Sequence, residues 1–312
     1  MVIQRETAAT PRLRGVLAPV LTPFKENLTP DPARFTAHCL RLLACGAGVA
    51  VFGTTSEANS LSVGERMDLL DALLDADIAP SLLMAGTGCC ALPDTVALTR
   101  KAVDSGCSGV LMLSPFYYKN VGDDGLFAAY SEVVQRVGDA RLRICLYHIP
   151  AVSGVPLSIP LIERLLTAWP GVVAGIKDSS GEWSHTETLL RHFQSETFDV
   201  FCGSEVFLLQ TLRGGAGCIT ATANVNAAAV VDLCRTWQEA DAEAKQRALA
   251  DTRKIFEMMP VIASMKSYLA RQLHDPAWAT VRPPLVQVGK DDAALLQKEL
   301  VSAGFPIPRL QE

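Results

Sequence analysis

The sequence has few of the features that mark membrane, secreted or nucleic-acid-binding proteins. No apolar run approaches the roughly 20 residues that a membrane-spanning helix needs. Residues 1–15 contain arginines and lack the apolar core of a secretory signal. Lysine and arginine form no dense run, and aromatic residues make up only 6% of the chain, which disfavours a nucleic-acid surface. We therefore expect a cytoplasmic protein that binds no nucleic acid and no membrane.

The cysteines and histidines also lack the spacing of a disulfide framework or a metal site. The nine cysteines include no Cys-x-x-Cys pair, and only Cys89 and Cys90 are neighbours in the sequence. The five histidines are scattered along the chain, so the sequence predicts no zinc-ligand cluster. We interpret the cysteines as reduced, buried side chains, and we expect no metal and no organic cofactor.

Apolar residues dominate what the sequence does contain. Hydrophobic residues make up 49% of the 312 positions and charged residues 20%, with a formal net charge of −5. This composition supports a large core and excludes general disorder. The length is compatible with a single (β/α) barrel domain.

Short apolar runs recur along the chain at a spacing of roughly 29 residues, the length of one strand-turn-helix-turn unit. The runs span residues 15–20, 48–52, 81–85, 109–113, 143–147, 172–176, 199–202 and 217–220. Amphipathic helical patterns lie between them at residues 31–45, 63–76, 92–105, 124–137 and 159–168. Several runs are continuously apolar, which is typical of parallel strands covered on both faces.

Eight such units predict an α/β fold, a closed (β/α)8 TIM barrel over residues 1–226. Residues 227–312 have a helical pattern apart from the proline-rich stretch at 282–284, so we expect them to form an appended C-terminal helical extension. A doubly wound open sheet is the alternative, because strand spacing alone does not determine whether the sheet closes.

Polar segments follow the apolar runs, whereas the turns that lead into the runs are plainer. The segments cover residues 22–24, 53–57, 86–88, 114–118, 147–150, 177–180, 203–205 and 220–224. In a parallel barrel the carboxyl ends of all strands meet on one face, where active sites lie. This distribution predicts an enzyme rather than a structural barrel.

Lys177 is the most informative of these polar residues, because it directly follows the sixth apolar run. Lysine is almost never fully buried unless it is paired or used in chemistry. Removal from water favours the neutral amine, which attacks a carbonyl carbon and forms a Schiff base. The alternatives are that Lys177 extends to solvent or pairs with Asp178.

The other candidates at this face are ambiguous when they are taken singly. Gly53, Thr54 and Thr55 offer N–H and hydroxyl groups that suit a carboxylate or a phosphate, but an ordinary capped turn has the same sequence. Tyr147 is either a general acid/base or a core tyrosine, and Tyr117 is either a site residue or an interface aromatic. Their shared location makes the combination informative.

Five motifs at these strand ends carry a family resemblance. They are Gly53-Thr54-Thr55-Ser56-Glu57, Ser114-Pro115-Phe116-Tyr117-Tyr118, Tyr147-His148-Ile149-Pro150, Gly175-Ile176-Lys177-Asp178 and Ile219-Thr220-Ala221-Thr222-Ala223-Asn224-Val225. With these motifs in this order, the sequence resembles the dihydrodipicolinate synthase / N-acetylneuraminate lyase family from about residue 15 to residue 285. The resemblance implies a class I, pyruvate-dependent barrel enzyme that uses a lysine imine.

The resemblance also implies roles for individual residues. Lys177 would form the imine with the keto carbon, and Tyr147 would transfer protons. Thr54 would pass a proton toward Tyr117, which in this family typically enters from a neighbouring subunit. We therefore expect a homo-oligomer, a dimer or a dimer of dimers such as a homotetramer. The substrate contacts implied by the resemblance are Thr55, Ile219, Ser179, Gly203, Glu205 and Val152.

Two departures from the family pattern concern the substrate and the carboxylate turn. Synthases of the family carry an arginine two residues after the proline of the Tyr-x-x-Pro motif, whereas this chain has Val152, which forms no ion pair with a second carboxylate. The lyases have a similar aliphatic residue there. Ser56 replaces the usual glycine of the turn, which leaves the turn's backbone conformation open.

These observations predict a lyase or aldolase acting on pyruvate or a 2-keto acid, specifically a 2-keto-3-deoxy sugar acid, by C–C cleavage or dehydration. One alternative is a dihydrodipicolinate synthase that condenses pyruvate with aspartate semialdehyde. The alternative from another class is a barrel that binds a keto acid without turning it over. The set formed by Lys177, Tyr147, Thr54 and Tyr117 disfavours that last alternative, because a binding protein needs no such set.

Overall fold

A computed structural model describes residues 12–305 of the chain. Its eight parallel strands form a closed barrel in which each strand pairs with the next and β8 pairs with β1. The strands are β1 Gly15–Pro19, β2 Gly48–Val51, β3 Leu83–Gly86, β4 Gly109–Leu113, β5 Ile144–His148, β6 Val173–Asp178, β7 Asp199–Cys202 and β8 Gly217–Ile219. The closed topology confirms the predicted TIM barrel and excludes the open sheet.

Twelve α-helices accompany the strands in the part of the chain that the structure describes. They are α1 Pro32–Ala44, α2 Val63–Asp75, α3 Leu92–Asp104, α4 Asp123–Val137, α5 Pro150–Ser153, α6 Ile159–Ala168, α7 Trp183–Phe193, α8 Leu208–Leu212, α9 Ala223–Thr236, α10 Ala242–Glu257, α11 Val261–Gln272 and α12 Lys290–Ser302. Short 3₁₀ turns lie at Ala58–Ser60, Pro80–Leu82, Glu205–Phe207 and Pro276–Ala279.

Local sequence explains where several helices begin. The Asp31 side chain accepts a hydrogen bond from the N–H group of Arg34 (3.0 Å), and proline follows at the first helical position of α1. Ser62 and Glu65 form a reciprocal capping box at the start of α2. These caps satisfy N–H groups that the first turn of a helix leaves unpaired.

The strand bounds agree with the predicted runs to within two residues, and one difference affects the site. Strand β6 continues through Asp178, where residue 176 was predicted as its end. It continues because β5 pairs with it through Tyr147 opposite Lys177 and His148 opposite Asp178. Lys177 is therefore a strand residue with a fixed backbone rather than the first residue of a loop.

Two apolar layers hold the barrel together. The larger layer lies between the strands and the surrounding helices, and the smaller one fills the inside of the barrel. The inner layer consists of Leu17, Ala50, Met84, Leu111, Cys145, Tyr147, Ile149, Phe201, Ala216 and Ile219. Because strand side chains alternate between faces, this inner layer places Tyr147 on the inside of the barrel and His148 on the outside.

The predicted boundary between the barrel and the C-terminal extension falls within a helix. Helix α9 packs against β1 and so supplies the eighth helix of the barrel, although the predicted boundary at 226/227 lies inside it. We therefore place the end of the barrel after α9. Helices α10 to α12 form the extension, whose apolar contacts centre on Phe256, Tyr268 and Phe305.

Two predictions reach beyond the described residues. The N-terminal stretch predicted to lack a secretory signal includes residues 1–11, and the predicted helical extension includes residues 306–312; both segments lie outside the described part of the chain. Among residues 12–305, none of the helices is both long enough and apolar enough to cross a membrane.

Candidate active site

Lys177 and Tyr147 lie side by side at the carboxyl ends of β6 and β5. They are directly opposite each other in the strand register, and both side chains face the inside of the barrel. The Lys177 Nζ atom lies 4.3 Å from the centre of the Tyr147 ring. The pairing of β5 with β6 therefore holds Lys177, the candidate nucleophile, beside Tyr147, the candidate for proton transfer.

The Lys177 side chain is buried and, within residues 12–305, has no counter-ion. Only 4% of the residue is exposed, which excludes the alternative of a lysine that extends to solvent. Within residues 12–305, Lys177 Nζ forms no ion pair and no hydrogen bond. Asp178 is not its partner, because the Asp178 carboxylate contacts His185 and Thr186 instead. A buried amine without an anion beside it fits the chemistry expected of a Schiff-base lysine.

Tyr147 is connected to the turn that follows β2. Its hydroxyl donates a hydrogen bond to Thr54 Oγ1 across 3.3 Å, although the two residues are 93 positions apart in the sequence. Tyr147 is 5% exposed. Thr54, Tyr147, Leu111 and Leu113 line a small cavity at this end of the barrel. The structure thus brings together three of the four predicted catalytic residues: Lys177, Tyr147 and Thr54.

The turn at residues 53–56 provides the donors expected of a carboxylate site. Within the described part of the chain, the N–H groups of Thr54 and Thr55 donate to no protein acceptor. Ser56 adopts an ordinary backbone conformation, and its hydroxyl accepts a hydrogen bond from the N–H group of Gly53 (3.2 Å). Serine in place of glycine therefore strengthens the turn and leaves two backbone donors free.

Ser179 and Gly203 are also adjacent, as the predicted substrate contacts require. The N–H group of Gly203 donates to the carbonyl of Asp178 (2.7 Å). A Cβ atom on residue 203 would lie 2.8 Å from the backbone carbonyl oxygen of Asp178 and 2.0 Å from Ser179 Oγ, both inside contact distance. Glycine is therefore required where the turns after β6 and β7 meet.

Glu205 and Ile219 lie deeper than the other predicted contacts. Ile219 is completely buried at the end of β8. The Glu205 carboxylate is also buried and accepts hydrogen bonds from the hydroxyls of Thr220 and Thr222, and it pairs with Arg253 at 2.9 Å. This network differs from the expectation that Glu205 contacts substrate, because both carboxylate oxygens are already bound to protein groups.

Tyr117 and Val152 lie at the rim of the site. Tyr117 is 74% exposed, and Val152 is 62% exposed on the short helix α5. Tyr117 contacts the ring of Tyr118 (5.3 Å between centres), but among residues 12–305 it makes no hydrogen bond to Thr54 or Tyr147. The described part of a single chain therefore does not complete the predicted proton path from Thr54 to Tyr117.

Comparison with known proteins decides the family. The model of the dihydrodipicolinate synthetase family matches residues 12–303. The chain belongs to that family. Its members are class I, pyruvate-dependent lyases, so the predicted family and the predicted enzyme class are confirmed.

Individual relatives of the family match over nearly the whole chain. An uncharacterized DapA-like lyase from Chloroflexus aurantiacus is 34% identical over 299 residues, covering 93% of this chain and 98% of that protein. The crystal structure of dihydrodipicolinate synthase from Agrobacterium tumefaciens superposes with a TM-score of 0.85 at 34% identity, covering 93% and 99% of the two chains. A variant of the 2-keto-3-deoxygluconate aldolase from Sulfolobus solfataricus shares the fold at 19% identity, with a TM-score of 0.82 over 92% and 95% of the chains.

A charged cluster that the sequence did not reveal lies behind the site, on the outer face of β5 and β6. Ligand-type atoms of His148, Asp178 and His185 lie within 4.8 Å of one another. The two imidazole rings are stacked, with centres 4.5 Å apart and planes 13° apart, so they do not converge on one ion. The Leu157 N–H group donates to His148 Nδ1 (3.0 Å), which places the proton of neutral His148 on Nε2.

The charges in this cluster are set by burial and by Asp178. Burial lowers the pKa of His148 to about 4, so it is neutral near pH 7. The contact of His185 Nδ1 with Asp178 Oδ1 (3.2 Å) raises the pKa of His185. Burial opposes ionisation of Asp178, but the contacts with His185 and Thr186 outweigh it and lower its pKa. We interpret the cluster as support for the backbone that carries Lys177 and Tyr147.

A second missed feature is the buried pair of Glu57 and Lys266, which links the turn after β2 to helix α11. The sequence contained a signal for Lys266, because it lies on a largely apolar helix between Met265 and Tyr268. A lysine at such a position indicates a buried partner. Its partner is 209 positions away, and no spacing rule connects the two residues.

Proposed function

We propose that the chain forms an imine between Lys177 and the keto carbon of a 2-keto acid, and that it makes or breaks a bond beside that carbon. The observation that carries this proposal is the Lys177 amine, which is 4% exposed, free of any counter-ion in the described residues, and 4.3 Å from the Tyr147 ring. Membership of a pyruvate-dependent family supports the choice of a keto acid.

The proposed steps use residues already in contact. The Lys177 amine attacks the keto carbon and water leaves, which gives a protonated imine that withdraws electrons from the neighbouring bonds. Tyr147 donates its proton to the hydroxyl that leaves as water. In the cleavage direction, the resulting phenolate accepts the proton of the substrate hydroxyl as the C–C bond breaks, and the bond electrons form an enamine. Protonation of the enamine and hydrolysis then release pyruvate and restore the amine. Thr54 orients Tyr147 through their hydrogen bond.

The carboxylate of the keto acid would bind at the turn after β2. The N–H groups of Thr54 and Thr55 and the Thr55 hydroxyl are the donors, and the backbone carbonyl of Ile219 would contact the pyruvyl end. Two N–H groups without protein acceptors support this assignment, because a carboxylate forms strong hydrogen bonds to such donors.

We further propose that the substrate is a 2-keto-3-deoxy sugar acid. The aliphatic Val152 offers no ion pair to a second carboxylate, and the Ser179 hydroxyl beside Gly203 suits a polyol chain. Cleavage to pyruvate and an aldehyde fits these groups, and dehydration of the same acids is the other reaction of this type.

Condensation of pyruvate with aspartate semialdehyde is the second candidate. Its support is the 4-hydroxy-tetrahydrodipicolinate synthase of Methanococcoides burtonii, which is 28% identical over 93% of this chain and 98% of that protein. The two candidates are separated by measuring pyruvate release from a panel of 2-keto-3-deoxy acids beside condensation with aspartate semialdehyde. A kcat/KM of about 10⁴ M⁻¹s⁻¹ or more for the condensation would favour the second candidate.

Val152→Arg tests the substrate assignment directly. A guanidinium at this rim position should bind a second carboxylate and raise kcat/KM for aspartate semialdehyde by about tenfold relative to an uncharged aldehyde. Val152→Leu is the matched control, because it adds bulk without charge. An unchanged ratio in Val152→Arg would show that residue 152 does not face the aldehyde.

We also propose a cytoplasmic homo-oligomer, a dimer or a dimer of dimers, in which Tyr117 enters the site of a neighbouring copy. The exposure of Tyr117, and the lack of a hydrogen bond from it to Thr54 or Tyr147 among residues 12–305, support this assembly. Light scattering of the wild type and of Tyr117→Phe, together with their turnover, tests it: the variant should remain assembled and lose activity.

A further inference from the structure

Two residues with an unusual backbone conformation bracket the turn that supplies the free N–H groups. Phe52 has φ 61° and Glu57 has φ 55°, in the left-handed region that residues other than glycine rarely adopt. Such conformations persist only where the surrounding structure holds them. The N–H donors of the turn therefore depend on whatever fixes its two ends.

The first end is held by the barrel itself. The Phe52 ring stacks on Phe35 with 6.0 Å between centres. The Phe52 carbonyl lies so close to Gly86 that a Cβ atom on residue 86 would be 2.1 Å from it. Close packing from α1 and β3 thus fixes the start of the turn.

The second end is held by the C-terminal extension. The Glu57 carboxylate binds Lys266 Nζ through Oε1 and accepts a hydrogen bond from the Arg282 N–H group through Oε2 (2.9 Å). Lys266 Nζ also donates to the carbonyl of Thr280 (2.8 Å). The side chains of Lys266 and Glu57 are both completely buried, so water does not compete for this contact.

Arg282 adds a second connection from the extension to the same region. Its guanidinium binds Glu65 at 2.7 and 2.9 Å and also donates to the carbonyl of Ser60. The cations of Lys266 and Arg282 both lie over the ring of Phe24, at 4.5 and 4.7 Å from its centre. The turn is therefore tied to the extension at Glu57 and again a few residues later.

We propose that Lys266 is a positioning residue for the substrate carboxylate, which, together with the backbone N–H group of Arg282, holds Glu57 so that the N–H groups of Thr54 and Thr55 stay free for that carboxylate. This inference rests on the proposed function, in which the turn binds the carboxylate of a keto acid. It makes the C-terminal extension a part of the active site's support, although none of the proposed substrate contacts lies in the extension.

The test uses Lys266→Met, which keeps the length of the side chain and removes its charge. Pyruvate is trapped on Lys177 with borohydride over a range of concentrations, and methyl pyruvate, which lacks the negative charge, is trapped in parallel. The half-saturating concentration of pyruvate should rise about tenfold or more, with the rate at saturation changed less than about threefold. The half-saturating concentration of methyl pyruvate should stay within about twofold of the wild-type value, because this ester has no carboxylate charge for the turn to bind.

A control variant and a second variant make the test decisive. Arg34→Met removes ion pairs between α1 and Asp275 of the extension without touching the turn, so it should leave both half-saturating concentrations unchanged. The double variant Glu57→Gln with Lys266→Met contains no unpaired buried charge. It should fold and still bind pyruvate more weakly than the wild type.

The outcomes separate this inference from the proposed function. Trapping in the wild type with unchanged pyruvate affinity in Lys266→Met or in the double variant would overturn the inference alone. Equal weakening for pyruvate and methyl pyruvate would also overturn it, since that result indicates general loosening of the site. A wild-type protein that traps no pyruvate on Lys177 would overturn the proposed function and the inference together.

Discussion

Lys177 and Lys266 are both buried, 4% and 0% exposed, yet they have opposite surroundings. The Lys266 ammonium contacts Glu57 and the Thr280 carbonyl, and burial lowers its pKa to about 8 against the opposing effect of Glu57. Lys177 contacts the face of the Tyr147 ring and, within residues 12–305, has no anion or acceptor. Burial alone thus does not identify a nucleophile: a paired lysine maintains structure, and an unpaired one at a strand end is available for chemistry.

The largest expected effect is on turnover in Lys177→Met. Removing the amine should abolish imine formation and reduce activity to the background of unmodified protein. The free energy of unfolding should equal or exceed that of the wild type, because a buried amine without a partner contributes no ion pair. Steady-state assays and urea denaturation measure the two quantities. A strongly destabilised Lys177→Met would mean that the residue is structural, like Lys266.

Tyr147→Phe should have the next largest effect. It removes the hydroxyl that contacts Thr54 and keeps the ring beside Lys177. Turnover should fall by about 10²–10⁴, while borohydride still traps pyruvate on Lys177. Wild-type turnover in this variant would assign the proton transfer to another group.

Lys266→Met should mainly change stability. Breaking a buried ion pair by removing one partner typically costs about 3–5 kcal/mol, because the remaining carboxylate is left buried and unpaired. The double variant with Glu57→Gln should recover part of this loss. A Lys266→Met protein as stable as the wild type in urea denaturation would contradict the conclusion that the paired Lys266 maintains structure.

The smallest expected effect is on the pH dependence of stability, through the contact of His185 with Asp178. The contact with Asp178 raises the pKa of His185, so its stabilising effect is complete below the ordinary value of 6.5 and is lost as pH rises through the folded-state pKa. The side chain is 29% exposed, so the contribution should not exceed about 1 kcal/mol. In His185→Gln, this loss of stability above pH 6.5 should disappear from the urea titrations. An unchanged pH dependence would mean that the contact with Asp178 does not stabilise the protonated form of His185.

Much of the fold and part of the site could be predicted from the sequence. The strands were predictable because parallel barrel strands are continuous apolar runs at a regular spacing. The position of Lys177 at the carboxyl end of a strand was predictable because a charged residue interrupts that pattern there, whereas its role stays a prediction. The left-handed backbone at Glu57 and the ion pair of Glu57 with Lys266 could not be predicted, since this pair joins positions 209 residues apart. The partners of Glu205 were also hidden, because Arg253 reaches it from a helix of the extension.

The most direct test is peptide mapping after borohydride reduction of the wild-type protein with pyruvate. The reduced pyruvyl group should be found on Lys177 and absent from Lys266, and prior substitution of Lys177 by methionine should abolish labelling. An adduct on another lysine, or a folded protein with no adduct at saturating pyruvate, would contradict the assignment of Lys177 as the nucleophile.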